Sequence, residues 1–529
     1  MFLKESSVKR RDGKRVTYLH LIESKWDPER KHSTHKFIYS FGKLSELNRE
    51  KMMALAQNLL RYLNQDITAL DMASEILWSR SYGTVFLVEA LANKLGLTSL
   101  LSTQLKKRNY TSPITYAILA MITNRCMEPL SKLAVEEWIK EDIYFPLSKN
   151  LELQHFYRGL DFLEESKDVI EDELFWQTRN LFNRKIDLIF YDTTSTYAEG
   201  KAEDDLFNYG LSRDRRPDRK QIVVGLATDR DGLPLASAVF PGNTMDLNTV
   251  KSMLKRIDRF HFSRSIFVCD RGMVSDDNLK EIEKAGYEYL VGVKLRGLTE
   301  VRDQVLTTPG RFQKIDENLK VKEVMVSNKR YIICLNPIEA EHDRLYREEL
   351  LKELAQELEG CTLTKKKECS ILNHQAKRRL VRKLKDGRLI LDKKRIAQES
   401  RYDGKYVLLT TERSLKAHEL AQQYKHLFQV ERAFRTLKTQ INLRPLYHYT
   451  AHRIKAHVSL CVLAYFLERY AEIKTGTTWE VIRRHMNRIS AVKISLKNGT
   501  IIKRSQLTNF QKTLLNQLDV KEPPLILMS

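Results

Sequence analysis

Three acidic residues stand where a fold could turn them into a metal-binding set. Asp192 closes the strand-like run Ile186-Asp187-Leu188-Ile189-Phe190-Tyr191, and Asp270 closes a second, Ser265-Ile266-Phe267-Val268-Cys269. Glu431 lies in a long helical pattern from Leu415 to Gln440. Two strand-end aspartates and one helical glutamate can converge on two divalent ions, which clamp the entering and leaving oxygens of a phosphoryl transfer. Hard cations prefer such carboxylate oxygens, and Mg²⁺ or Mn²⁺ would both suit them. Taken singly, each residue also fits a plainer role. Asp192, followed by Thr193-Thr194-Ser195-Thr196, could cap a turn, and Asp270 before Arg271-Gly272 could end a strand. Glu431 could be the solvated edge of an amphipathic helix.

Charge narrows the choice of phosphate. The 529 residues carry 90 Lys and Arg against 68 Asp and Glu, a net charge of +22. That excess favours a polyanionic partner, and DNA is the obvious one. The densest basic element is the loop Ser212 to Lys220, where Arg213, Arg215, Arg216, Arg219 and Lys220 could meet phosphates near Asp192 or form a solvated loop. Six scattered cysteines form no disulfide framework, so a reducing cytoplasm is expected. The N-terminal segment MFLKESSVKRRDGK has no apolar signal core, and the apolar run Val458 to Leu467 is too short to span a bilayer. No membrane partner is implied. No P-loop is present, so no nucleotide cofactor is implied either.

The elements that must position these residues follow from periodicity. Residues 1–45 alternate apolar and polar and read as a β-rich N-terminal module, with strands over Val16 to Leu21 and Lys36 to Ser40 around an Arg11-Asp12-Gly13-Lys14 turn. A helical linker, 46–75, leads to a helical DNA-binding region, 76–182. From 183 to 295 the pattern becomes α/β. Strands end at Asp192, run over Gln221 to Leu226 and Leu235 to Phe240, end again at Asp270, and run from Tyr287 to Lys294. Helices are expected over 245–260 and 275–285. Three strands followed by strand–helix–strand–helix is the order of a ribonuclease H-like core.

That core needs one more helix, and it arrives late. The 161 positions from Asp270 to Glu431 are too many for one connection. Residues 296–412 are therefore expected to be an inserted α+β subdomain with its own elements. The core resumes over 413–470, and 471–529 form a C-terminal region with a hairpin around Asn498-Gly499. The expected fold class is α/β: a ribonuclease H-like catalytic core interrupted by an α+β insertion, preceded by a β-rich module and an all-helical region.

On the last core helix, steps of seven return almost to one azimuth, so Tyr424, Glu431 and Lys438 are expected to share a stripe. The pattern Tyr424-x2-Leu427-x3-Glu431-x6-Lys438 resembles the YREK signature of DDE-type insertion-sequence transposases. Phe190 to Thr194, Val268 to Met273, Gly210 to Gly225, Phe240 to Thr244 and Pro445 to His457 are similar stretches, and the resemblance runs over residues 115–470.

The resemblance implies a DNA transposase that cleaves DNA and transfers strands at element ends. Asp192, Asp270 and Glu431 would hold two Mg²⁺ ions, with Mn²⁺ possible. Tyr424, Arg435 and Lys438 would contact DNA. Its partners would be the terminal inverted repeats and target DNA, bound by a homodimer in a bacterial or archaeal cytosol. Leu427 occupies the signature's arginine position, so that role would be absent or would pass to Arg432 or Arg435. Relatives with a β insertion stack a flipped base on tryptophan. No Trp lies within 271–430, which leaves a hairpin pathway open.

Other residues are weaker candidates. Asn243 and Asp246 could support the metal ligands or cap a loop. His448-x3-His452 has zinc-like spacing, but Tyr449 stands where a zinc protease needs Glu. His448, His452, Arg453 and His457 are better read as a polar, DNA-facing surface. Two other classes compete with a transposase: a catalytically silent DNA-binding descendant, and a ribonuclease H-like nuclease on hybrids or junctions.

Overall fold

The computed structural model describes residues 2–9, 15–27, 32–47, 75–110, 113–148, 151–182, 186–199, 204–262, 264–359, 364–496 and 499–528. It divides into two compact units: Met1–Ser79 with Ala491–Ser505 and Pro524–Ser529, and Arg80–Ser490 with Gln506–Pro523.

In the first unit, β1 (Phe2–Lys9), β2 (Arg15–Asp27) and β3 (His32–Lys43) form an antiparallel sheet in chain order. The turn at 11–14 and most of the 46–75 linker lie outside the described residues. A second sheet joins β4 (Glu75–Ser81) to strands Ser490–Leu496, Gly499–Arg504 and Ile526–Met528. The start of the region expected to be all-helical is thus a strand. Leu496 pairs with Gly499, as a tight hairpin requires, though Asn498 itself lies outside the described residues.

The second unit opens with helices α1 (Gly83–Lys94), α2 (Leu97–Lys107), α3 (Ile114–Met127), α4 (Lys132–Glu141) and α5 (Leu153–Phe182). The chain then enters a nine-stranded sheet through β5 (Leu188–Tyr197), β6 (Gln221–Thr228) and β7 (Pro234–Pro241). Asp229 sets the β6–β7 turn by accepting the amides of Asp231 and Leu233, and Gly232 takes the positive φ of 80° that the turn needs. Next come α6 (Val250–Asp258), β8 (Ile266–Cys269), α7 (Asp276–Lys284) and β9 (Glu288–Val293). Ser275 caps α7 by accepting the Asn278 amide, and Asp276 and Asp277 favour its first turn.

The insertion departs from expectation. Its strands β10 (Gln313–Asp316), β11 (Leu319–Val326), β12 (Lys329–Leu335) and, after an excursion, β15 (Lys405–Thr410) continue the central sheet instead of building a separate one. The order is β10-β11-β12-β15-β9-β8-β5-β6-β7. The reason is the open edge of β9, whose unpaired amides and carbonyls are met by β15 from Leu290↔Thr410 to Val293↔Val407. Ser327 and Asn328, both at positive φ, make the two-residue β11–β12 turn. Only the excursion has a core of its own. There α8 (Pro337–Leu358), α9 (Lys365–Asn373), the hairpin β13–β14 (Val381–Lys383, Leu389–Leu391) and α10 (Lys393–Glu399) gather Leu350, Leu354, Ile371, Leu380, Val381 and Leu389.

Beyond β15, α11 (Ala417–Lys425) and α12 (Phe428–Thr439) lead to α13 (Ala451–Thr475). α13 is buried through most of its length against α3 and α5, as its apolar run predicts. Among the described residues, no single helix is long and apolar enough to cross a membrane.

Candidate active site

The site begins where a ladder ends. β5 and β8 run parallel and in register from Leu188↔Ile266 to Tyr191↔Cys269. The next residue on each strand is an aspartate, Asp192 and Asp270. Tyr191 and Cys269 belong to the core that also holds Val250, Met253 and Leu279 of α6 and α7. Strand alternation therefore turns both aspartates to the opposite face, where α12 packs on β5 and β6. Asp192 does not close its strand. β5 continues to Tyr197, paired with β6 alone, because the β-branched run Thr193-Thr194-Ser195-Thr196 lies against the apolar β6.

The electrostatics are those of crowded acids. The half-buried Asp192 accepts the Thr193 amide at 2.7 Å. Its carboxyl is pushed up to about 7, chiefly by burial, with Asp270 and Asp246 adding repulsion and the Thr193 amide and Arg213 opposing. Asp246 accepts the Thr193 hydroxyl at 2.6 Å and pairs with Arg213 at 2.6 Å. It is thus tied to the first aspartate's strand through Thr193. Asp270 receives a long hydrogen bond, 3.4 Å, from the Tyr424 phenol, whose titration is pushed up by burial and by Asp270. Tyr424 stacks on Tyr406.

The helix expected from Leu415 to Gln440 is broken at His426-Leu427 into α11 and α12. Tyr424 ends one helix while Glu431 and Lys438 ride on the other, so no single helical stripe carries all three. Leu427 turns inward at the break, 8% exposed. Glu431 is exposed in the first turn of α12. Among the described residues, no three metal-ligating side chains are drawn into one group. Asp192 and Asp270 are brought together, and Glu431 is exposed on α12, the helix that packs on β5 and β6. The pair still suits a divalent cation. It offers hard oxygen donors whose mutual repulsion, already raising Asp192, such an ion would relieve.

Several expected DNA contacts are engaged within the protein. Lys438 binds Asp214 at 2.7 Å, and Arg444 binds the same carboxylate at 2.5 Å; the Asp214 side chain is only 2% exposed. Neither Asp214 nor Arg444 was singled out by the sequence, although Asp214 is one of two acids in a strongly basic loop. Arg216 pairs with Asp218 and lies over the Tyr197 ring, and Arg219 pairs with Glu199. Arg213 serves Asp246. Lys220 interacts within the protein. Of the loop's five cations, Arg215 alone is exposed without an ion pair to a described residue. Arg432 binds Glu472, whereas Arg435 is exposed and unpaired among the described residues.

The histidine segment is exposed at His452, half-buried at Arg453 and buried at His457. His457 is buried, 5.4 Å ring to ring from His448, and burial beside Lys132 and Arg125 holds His448 down at about 4. Arg453 and His452 reach Asp161.

Residues 183–467, more than half of the chain, match the family model described as a transposase DDE domain. The chain belongs to that family, whose members are DNA transposases and whose chemistry depends on divalent metal. No curated protein matches it. Among solved structures, it is similar to a piggyBac transposase synaptic complex with hairpin DNA, determined by cryo-EM. That similarity has 9% identity and a TM-score of 0.38, over 76% of this chain and 78% of the other.

Proposed function

We propose that this transposase cleaves DNA at the ends of an insertion sequence and joins the freed 3′ ends to target DNA. Asp192, Asp270 and Glu431 would hold two divalent ions, Mg²⁺ in the first instance. The observation that carries this reading is the shared end of the β5–β8 ladder, which sets Asp192 and Asp270 side by side on one face. The strand order β7-β6-β5-β8-β9, antiparallel through the first three strands and parallel through the last three, supports a ribonuclease H-like core. The residues Tyr424, Glu431 and Lys438 support a YREK-type signature with leucine in place of arginine.

Bound at this site, two divalent ions would polarise the scissile phosphate and lower the pKa of the attacking water. The chain's own residues do the positioning. Thr193 and Arg213 fix the Asp192 and Asp246 carboxylates, and the Tyr424 phenol orients Asp270. Glu431, exposed at the start of the helix packed on β5, would complete the set. Lys438 holds the 211–220 loop through Asp214, leaving Arg215 and Arg435 to meet backbone phosphates. The partners would be double-stranded DNA carrying terminal inverted repeats, and a target duplex. Two ends must be handled together, so a homodimer on DNA follows.

The test is Mg²⁺-dependent cleavage and joining on a duplex bearing the element's own ends. Asp192→Ala, Asp270→Ala and Glu431→Ala should each lose several kcal/mol of transition-state stabilisation, roughly 10³-fold in rate, while still shifting the duplex in a gel. The lack of a three-ligand group among the described residues leaves one second reading, a DNA-binding descendant that does not cut. Wild-type protein that binds ends but cleaves with neither Mg²⁺ nor Mn²⁺ would establish that reading instead.

A further inference from the structure

Beyond Tyr191, β5 has lost its β8 neighbour, since β8 ends at Cys269. Backbone groups on that edge must find other partners. Arg213 supplies one. Its guanidinium donates to the Thr193 carbonyl, to the Thr193 hydroxyl oxygen at 3.0 Å and to the Asp246 carboxylate at 2.6 Å. The Arg213 backbone amide donates to the Ser195 hydroxyl oxygen at 2.9 Å, which ties its loop to the same strand. Asp246 approaches from the other side. One of its oxygens accepts the Thr193 hydroxyl at 2.6 Å, and the oxygen that binds Arg213 would lie 3.5 Å from a Cβ placed on Gly272. The Arg213–Asp246 pair is therefore wedged between the strand that carries Asp192 and the turn that follows Asp270.

The pair is a charge device as well as a brace. Asp192, Asp246 and Asp270 place three carboxylates around the end of the ladder. Beyond its burial, Asp192 responds to all three neighbouring charges: Asp270 and Asp246 raise its titration, and Arg213 opposes them. Lys438 and Arg444, close by, are engaged by Asp214, the residue next to Arg213. Arg213 is thus the cation that offsets the acids of the site. A divalent ion entering between Asp192 and Asp270 meets a positive charge there already, and like charges in a partly buried site repel more strongly than in water. Asp246 decides how strongly. It holds the guanidinium on the Gly272 side and neutralises part of its charge. Without Asp246, the same guanidinium is free to turn on Asp192.

We propose that Arg213 is the resident counter-cation of the acidic site, that it competes there with the divalent ion, and that Asp246 is the positioning residue that holds it aside. Metal affinity is then set by the Arg213–Asp246 pair and rises when the arginine is drawn away. The inference rests on the metal-site reading above and adds a control on metal loading to it.

The test is Mn²⁺ binding by the full chain without DNA, read as loss of the free ion's electron paramagnetic resonance signal, with a urea midpoint for each variant. Arg213→Gln should bind Mn²⁺ about tenfold more tightly than wild type. Arg213→Lys, which keeps the charge and loses the planar fork, should stay within about threefold of wild type. Asp246→Asn should weaken binding, and should weaken it less in the Arg213→Gln background than alone, a coupling that an independent ligand would not show. An Arg213→Gln variant of unchanged urea midpoint that binds Mn²⁺ no more tightly than wild type would overturn the competition. Equal losses from Asp246→Asn in both backgrounds, or no loss from Asp246→Asn alone, would overturn the positioning role. Either result leaves the metal site itself standing. Mn²⁺ binding that Asp192→Ala and Asp270→Ala leave unchanged would overturn the metal-site reading and this inference with it.

Discussion

At the scale of single residues, Lys438 has a role the sequence did not announce. Lys438 and Arg444 converge on one carboxylate, Asp214, with side-chain exposures of 12% for Lys438 and 2% for Asp214. Removing one partner of a buried ion pair strands the other charges, which typically costs about 3–5 kcal/mol. Asp214→Ala should therefore lower unfolding stability by about that much in a urea titration, with a larger effect than Lys438→Ala, because it strands both cations whereas Lys438→Ala leaves Asp214 paired with Arg444. Equal, sub-kilocalorie effects from both variants would mean that the trio is solvated and that Lys438 is free for DNA.

At the scale of elements, much of the architecture could be read directly. The apolar runs before Asp192 and Asp270 are strands because both faces of a parallel strand are buried. The Asp229-Arg230-Asp231-Gly232 and Ser327-Asn328 turns carry legible residue types, because few residues tolerate the positive φ at Gly232, Ser327 and Asn328. Two features were not legible. The pairing of β9 with β15 joins residues more than a hundred positions apart, and no local periodicity encodes a partner at that distance. The break at His426-Leu427 has no proline or glycine to mark it, and the seven-residue spacing from Tyr424 to Glu431 fits an unbroken helix equally well. The break has a consequence. It turns Leu427, which stands where the proposed signature has arginine, into the protein interior. Leu427→Arg should thus not recreate a DNA contact. It should bury a charge without a partner and destabilise the fold by several kcal/mol, on the order of 3 or more. A variant of unchanged urea midpoint and tighter DNA binding would show that the position reaches solvent.

At the scale of the whole molecule, a net charge of +22 promises DNA affinity without saying which charges deliver it. The structure sorts them. In the loop that is densest in arginine, Glu199, Asp218 and Asp246 already neutralise Arg213, Arg216 and Arg219, and these cations can release no counterion from DNA unless their acids let go. Arg215 on that loop and Arg435 on α12 have no such partner among the described residues. Each phosphate contact contributes about 0.9 to the slope of log affinity against log salt on duplex DNA. Arg215→Ala and Arg435→Ala should each make that slope shallower by up to about 0.9, and the double variant by up to about 1.8, if both meet phosphates. Arg216→Ala and Arg219→Ala should leave it nearly unchanged, since each removes a cation already balanced within the fold. Fluorescence anisotropy of a labelled duplex across a salt series separates the two groups. A slope reduced equally by all four variants would mean that the internal pairs open on binding, and that DNA is gripped by the loop as a whole.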